Sequence, residues 1–299
     1  GVIFRTNVDV GHTITIEQLR RDFAAVVLCI GASQARDLRV PGRELSGIHL
    51  AMDFLTQQNR RVAGLPGERE GESPILATGK RVVILGGGDT GSDCLGTSLR
   101  QNAASVTQIE LLPPPPRDRS SNNPWPEWPY VFRTSSSQEE GGAREFGVQT
   151  RGFLGNAGHV RALEVVRVEL KHGQIREIAD SQHEIPCDLV LLAMGFTGVE
   201  KLPMLSQLGV TIDGRGNLVA GASAPGVFVA GDASRGASLV VWALREGRDI
   251  AAKVNAFLAP PTPLFRSRRT ILRNWARLPS IGGHVQISFR EDIGLCLVD

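Results

Sequence analysis

The segment Arg81-Val82-Val83-Ile84-Leu85 runs into Gly86-Gly87-Gly88-Asp89-Thr90-Gly91 and then into SDCLGTSLRQNA. That order constrains the fold more than any other feature of the chain. A continuous β-branched and aliphatic run is apolar on both faces, as suits a strand inside a parallel sheet covered on both sides. The glycines then allow a tight turn into a helix, the sequence of elements that a βαβ unit requires. A second strand, Val106–Leu112, stops at Pro113–Pro116, because proline has no N–H with which to continue a central strand.

The same grammar recurs elsewhere. Buried strands are predicted at 24–30, closed by Gly31, at 188–194, closed by Gly195, and at Gly226–Asp232, which ends in Gly-Asp. Ile48, Ala51, Met52, Leu55 and Val62 recur at helical spacing, and a second apolar stripe runs through 238–258. A hairpin is predicted around His172-Gly173, between strands at 160–170 and 173–178. A chain of 299 residues suggests about two domains. The Gly-, Pro- and charge-rich stretch 64–79 suggests a boundary, giving segments 1–63, 75–188 and 189–258. Residues 117–145, with NPWPEWP and TSSSQEEGG, read as an ordered loop over a nucleotide site or as a linker. The tail 260–299 opens with Pro-Pro-Thr-Pro and shows only a short basic helical pattern at 265–277, so it is open to being disordered.

A phosphate cradle needs glycine where the backbone must turn and meet the ligand, followed by a helix whose first N–H groups and dipole face the negative charge. Gly86, Gly88 and Gly91 meet that need, with Asp89 and Thr90 between them, and Glu110 stands where an acid would bind a ribose 2′-hydroxyl. A carboxylate there favours NADH, whereas Arg117 and Arg119 could hold the 2′-phosphate of NADPH. The alternative is a glycine turn without a ligand and an ordinary acid at a strand end. Near-balanced charge, 33 basic against 31 acidic residues, disfavours nucleic acid and anionic membranes as partners. The longest apolar runs are too short to span a bilayer. Cys29, Cys94, Cys187 and Cys296 stand apart, with no CxxC spacing, and the six histidines lack metal-ligand spacing.

Longer motifs then narrow the reading. RVVILGGGDTGSDCLGTSLRQNAASVTQIELLPPPP, NPWPEWP, SSSQEEGG and VFVAGDASRGASLVVWALREGRDIAA together resemble the small (β) subunit of pyridine-nucleotide-dependent glutamate synthase, over roughly residues 1–258. The resemblance implies an α/β flavoprotein with two Rossmann-like dinucleotide-binding domains, an NAD(P)H domain inserted in an FAD domain as in glutathione reductase. It implies NADH or NADPH as reductant, FAD as acceptor, and electrons leaving through iron–sulfur clusters to the large (alpha) subunit, which makes glutamate from glutamine and 2-oxoglutarate. Gly231-Asp232 matches the second flavin motif, with Asp232 accepting from a ribityl hydroxyl, backbone N–H groups meeting the pyrophosphate, and Ser238, Leu239 and Val240 near the isoalloxazine. Trp125 and Trp128 could cover the nicotinamide or pack the Pro-rich loop.

The family's iron–sulfur cysteines and first FAD fingerprint lie upstream of Gly1. The chain therefore looks cut from something longer, its FAD domain incomplete at the N-terminus and its strands at 24–30 and 226–230 short of a neighbour. No nucleophile and base stand out, nor does hydride transfer between cofactors need them. The expected compartment is the cytoplasm, or an organelle if a transit peptide preceded Gly1. Two other readings remain: a related electron-entry module such as that of dihydropyrimidine dehydrogenase, against which the PWPEWP loop argues, and a non-catalytic nucleotide-binding fragment.

Overall fold

The computed structural model describes residues 2–125, 130–221, 224–259, 285–290 and 293–298, the last two segments by their backbone alone. The chain divides into two units, one of residues 35–195 and one of residues 1–34 with 196–299.

The 35–195 unit is built on an all-parallel sheet in the spatial order Ile48–Leu50, Leu189–Leu192, Arg81–Leu85, Ser105–Glu110, Ala143–Phe146. Strand alternation sorts the side chains of the two central strands between two layers. Val82, Ile84, Leu189 and Leu191 pack with Phe54 and Leu95 of the helices Ala51–Val62 and Asp89–Arg100. Val83, Leu85, Val190 and Leu192 meet Val148, Phe153, Leu163 and Val165 of an antiparallel sheet on the other face. There the long strand His159–Lys171 pairs with Val148–Asn156, His183–Pro186 and Gln174–Glu177, the last forming the hairpin expected at His172-Gly173. This double covering explains why RVVIL and LVLL carry no polar residue after Arg81. Cys94 and Cys187 are buried in these layers, and burial pushes both thiols up to about 12, which keeps them unreactive.

Residues 64–79 do not separate two domains. Ile75 and Ala77 are buried, the Ile75 N–H donates to Gln57 Oε1 at 2.9 Å and the Ala77 N–H to Gln101 Oε1 at 2.8 Å. The segment is thus sewn onto both helices, and its glycines and prolines serve turns inside one unit. Ile48–Leu50, its following helix and Leu189–Leu192 all belong to that unit, so the divisions fall at 34/35 and 195/196 rather than after 63 and before 189.

At the edge of these strands Arg81 donates to both carboxylate oxygens of Asp188, from Nε at 2.9 Å and from Nη2 at 2.7 Å, and its backbone N–H donates to Oδ2 at 2.9 Å. The guanidinium first, and the N–H after it, lower the Asp188 carboxyl from its ordinary 3.8 to about 2. A carboxyl depressed by folding contributes stability above its unfolded pKa and loses it as pH falls through the folded one. Asp188→Asn should therefore be less stable than the parent above pH of about 4 and equal to it below about 2. Acid unfolding of the two proteins checks this, and a gap unchanged across that window would contradict it.

In the other unit Ala25–Cys29 lies parallel to Val227–Val229, with Val26 opposite Val227. Val26, Leu28, Val227 and Val229 pack on Leu19, Leu205 and Leu208. The helix Ile16–Asp22 starts on a reciprocal cap, the Thr15 N–H donating to Gln18 Oε1 at 2.8 Å and the Gln18 N–H to Thr15 Oγ1 at 3.2 Å. The strand predicted at 24–30 does not lack a second neighbour. Ile293–Val298 pairs antiparallel with Ala25–Cys29, and Val285–Arg290 joins it to Val2–Thr6. The tail thus contributes two strands where disorder was open. The 265–277 pattern lies outside the described residues. The helix Val240–Leu258 fits its predicted span, but of its residues only Val254 is buried, and Val240 is 73% exposed. Cys29, within the buried strand predicted at 24–30, is exposed.

Candidate functional site

Three glycines after the strand Arg81–Leu85 meet three different requirements. Gly86 has φ +124°, and a Cβ there would collide with the Ala193 carbonyl just past the strand Leu189–Leu192, so the chain can turn only without a side chain. Gly91 is buried in the helix, and a Cβ would sit 2.6 Å from Gln108 Nε2 and overlap the Gly86 carbonyl. Gly88, the N-cap of Asp89–Arg100, is the opposite case: a Cβ would meet no heavy atom within 4 Å. The backbone there faces open space, beside helix N–H groups that have no carbonyl one turn back.

That space belongs to a cavity of about 880 Å³ within the 35–195 unit, the size of a small-molecule site. Of the predicted residues, Gly86, Gly88 and Glu110 line it, whereas Asp89, Thr90 and Gly91 occupy the first turn of the helix behind it. Gly87 also lines the cavity, and Glu110 Oε2 packs so closely on it that any Cβ would overlap the carboxylate. The middle glycine of GGG was the signal for that approach. Arg36, Thr150 and Met194 line the cavity as well and were not foreseen. They come from segments far apart in sequence, and nothing local to each marks it. Arg36 is anchored by its backbone N–H donating to the Gly195 carbonyl at 2.9 Å. Arg119, weighed as a phosphate ligand, donates to the Asn123 carbonyl at 3.3 Å. Trp125 is 82% exposed, and Trp128 lies outside the described residues.

At the Gly-Asp turn of the other unit, Asp232 Oδ1 accepts from the Ser238 N–H at 3.2 Å and from Ser238 Oγ at 3.1 Å. Ser238, Leu239 and Val240 are exposed there. The Gly231 N–H donates to Glu246 Oε2 at 2.8 Å, an oxygen that also accepts from Ser234 Oγ at 2.6 Å. Glu246 also pairs with Arg235, whose guanidinium stacks on Trp242. Among the described residues no group of three or more His, Cys, Asp or Glu could hold a metal.

Over 273 residues, 88% of this chain, the sequence is 49% identical to the Mycobacterium tuberculosis protein named glutamate synthase [NADPH] small chain. The chain is a homologue of glutamate synthase small chains. It spans little more than half of that relative, 56% of its length. Glutamate synthase [NADH] of Saccharomyces cerevisiae is 38% identical over 97% of this chain and 14% of its own length. That alignment runs into residues 260–299, beyond the roughly 1–258 over which the motifs carry the resemblance. No family model matches the chain. Among solved structures, Mycobacterium tuberculosis FprA in complex with NADPH superposes with a TM-score of 0.59 at 18% identity, covering 84% of this chain and 67% of that one. The chain thus has the expected α/β fold class, a two-dinucleotide-binding-domain fold. No described helix is long and apolar enough to cross a membrane.

Proposed function

We propose that the 35–195 unit binds NADH or NADPH and that the chain forms part of the electron-entry portion of a glutamate synthase. The observation that carries this is the Gly88 N-cap, opening on a cavity that Glu110 also lines. The residues present fit a dinucleotide. The turn at Gly86–Gly88 and the helix N-terminus would receive the pyrophosphate, Glu110 would accept from the adenosine ribose hydroxyl, and Arg36 offers a cation within the same cavity.

For FAD the residues fit in part. Asp232 is a half-buried acceptor close in sequence to exposed Leu239 and Val240, whereas the Gly231 N–H is committed to Glu246. A bound flavin supplies the acceptor for the nicotinamide hydride. In the full assembly electrons would pass through iron–sulfur clusters, for which the described residues of this chain hold no ligand group, to the large chain that forms glutamate from glutamine and 2-oxoglutarate. The relatives are named for both NADPH and NADH, so cofactor choice has to come from the site itself.

Calorimetric titration of the purified chain with NADH and NADPH, with an absorbance scan for flavin, tests the reading. Saturable binding of either dinucleotide is the expected result; no heat with either would overturn it. Yellow protein would add retention of FAD, and binding without colour would leave the nucleotide unit working alone. Glu110→Ala removes the carboxylate that repels a 2′-phosphate, so the ratio of the NADPH to the NADH Kd should fall by about tenfold, the scale of one charge-assisted hydrogen bond. An unchanged ratio would remove Glu110 from the ribose site.

A further inference from the structure

We infer that Gln108, Gln138, Ser135 and Ser92 form a ring of hydrogen bonds that positions the glycine turn for a diphosphate, although Gln138 and Ser135 do not line the cavity. This rests on the dinucleotide reading above. Gln108, buried in the strand Ser105–Glu110, donates from Nε2 to the Gly86 carbonyl at 2.8 Å. Its Oε1 accepts from Gln138 Nε2 at 2.9 Å. Gln138 Oε1 in turn accepts from the Ser135 N–H at 3.0 Å, and the Gln138 N–H donates to Ser135 Oγ at 3.3 Å. Ser135 Oγ is hydrogen-bonded to Ser92 Oγ, and the Ser92 N–H donates to the Gly88 carbonyl at 3.0 Å. The ring starts on one end of the turn and closes on the other.

Each link has a constraint behind it. The Gln108 amide fits beside the Gly86 carbonyl only because Gly91 has no Cβ. With its Nε2 turned to that carbonyl, Gln108 presents its Oε1 to Gln138, so Gln138 must donate. A glutamate at 138 has the same shape but brings an oxygen against an oxygen. If the Gln108 amide flips to satisfy it, the clash moves to the Gly86 carbonyl. Ring strength and turn geometry are therefore linked through atoms that never touch a ligand, which makes these residues positioning residues.

The test uses the full chain and ADP-ribose, NADH and NADPH as probes. Gln138→Glu and Ser135→Ala should each weaken binding of all three by about three- to tenfold, the worth of one or two ordinary hydrogen bonds. Ser135→Thr, which keeps a capping hydroxyl, should restore parental affinity. A readout without ligand accompanies it: amide hydrogen exchange at Gly86–Gly88 should speed up in the two weakened variants and not in Ser135→Thr. A purely structural role would lower the melting temperature and leave affinity and exchange at the turn as in the parent, and that result overturns the ring. If the parent chain binds none of the probes, the dinucleotide reading falls and the ring's role falls with it. If Gln138→Glu does not fold, the Ser135→Ala and Ser135→Thr pair decides alone.

Discussion

Gly88→Glu is expected to lower dinucleotide affinity by roughly a hundredfold or more, because like charges brought together at a binding site cost several kcal/mol. The same substitution should leave the fold almost untouched. Gly88 has φ −79° and ψ −173°, which any residue adopts, and a side chain there enters open space. The change in unfolding free energy should stay within about 1 kcal/mol, the range of N-cap exchanges. Calorimetric titration with NADH, run beside a thermal melt, separates the two quantities. Retained affinity would show that the diphosphate does not sit at this helix end.

Two residues earlier the outcome reverses. Gly86→Ala should destabilise the 35–195 unit by about 3 kcal/mol or more, since it adds backbone strain at a positive φ to an overlap with main chain that no rotamer can relieve. The φ of +124° and the Ala193 carbonyl are the two causes. Loss of binding in this variant would follow from loss of structure, and denaturant unfolding measures it directly. A stable Gly86→Ala protein would mean that the turn can adopt another path. That pair of outcomes would assign one glycine to the fold and the other to the ligand, although a sequence pattern treats them alike.

What the sequence disclosed follows the same line. RVVIL and LVLL were legible because a strand buried on both faces has no choice but to be apolar throughout. The glycine turn was legible because strand, glycines and helix are contiguous. Gln108 gave no sign of its role, since a glutamine within a strand is unremarkable until its partners at Gly86 and Gln138 are seen in space. Arg36 and Thr150 enter the cavity from segments whose local composition carries no message. The 64–79 stretch misled because turn-forming residues are common in connectors and equally common where a segment winds between two helices, held here by Gln57 and Gln101. Glu246 was read only as part of an apolar-striped helix, and its grip on the Gly231 N–H depends on a helix that begins several residues past the turn.

The division into a continuous 35–195 unit and a second one assembled from both flanks carries a kinetic consequence. Every strand of the five-stranded parallel sheet is present once residue 195 has been synthesised, so that unit can fold while translation continues. Ala25–Cys29 cannot pair with Val227–Val229 until the whole of the first unit lies between them, and contacts that close so long a loop form slowly. During that interval Ala25, Val26, Val27 and Leu28, all buried in the finished protein, still lack the Val227–Val229 strand. In a refolding experiment the 35–195 unit should therefore gain its structure in the fast phase, with aggregation competing mainly against the late closure of the flanking unit.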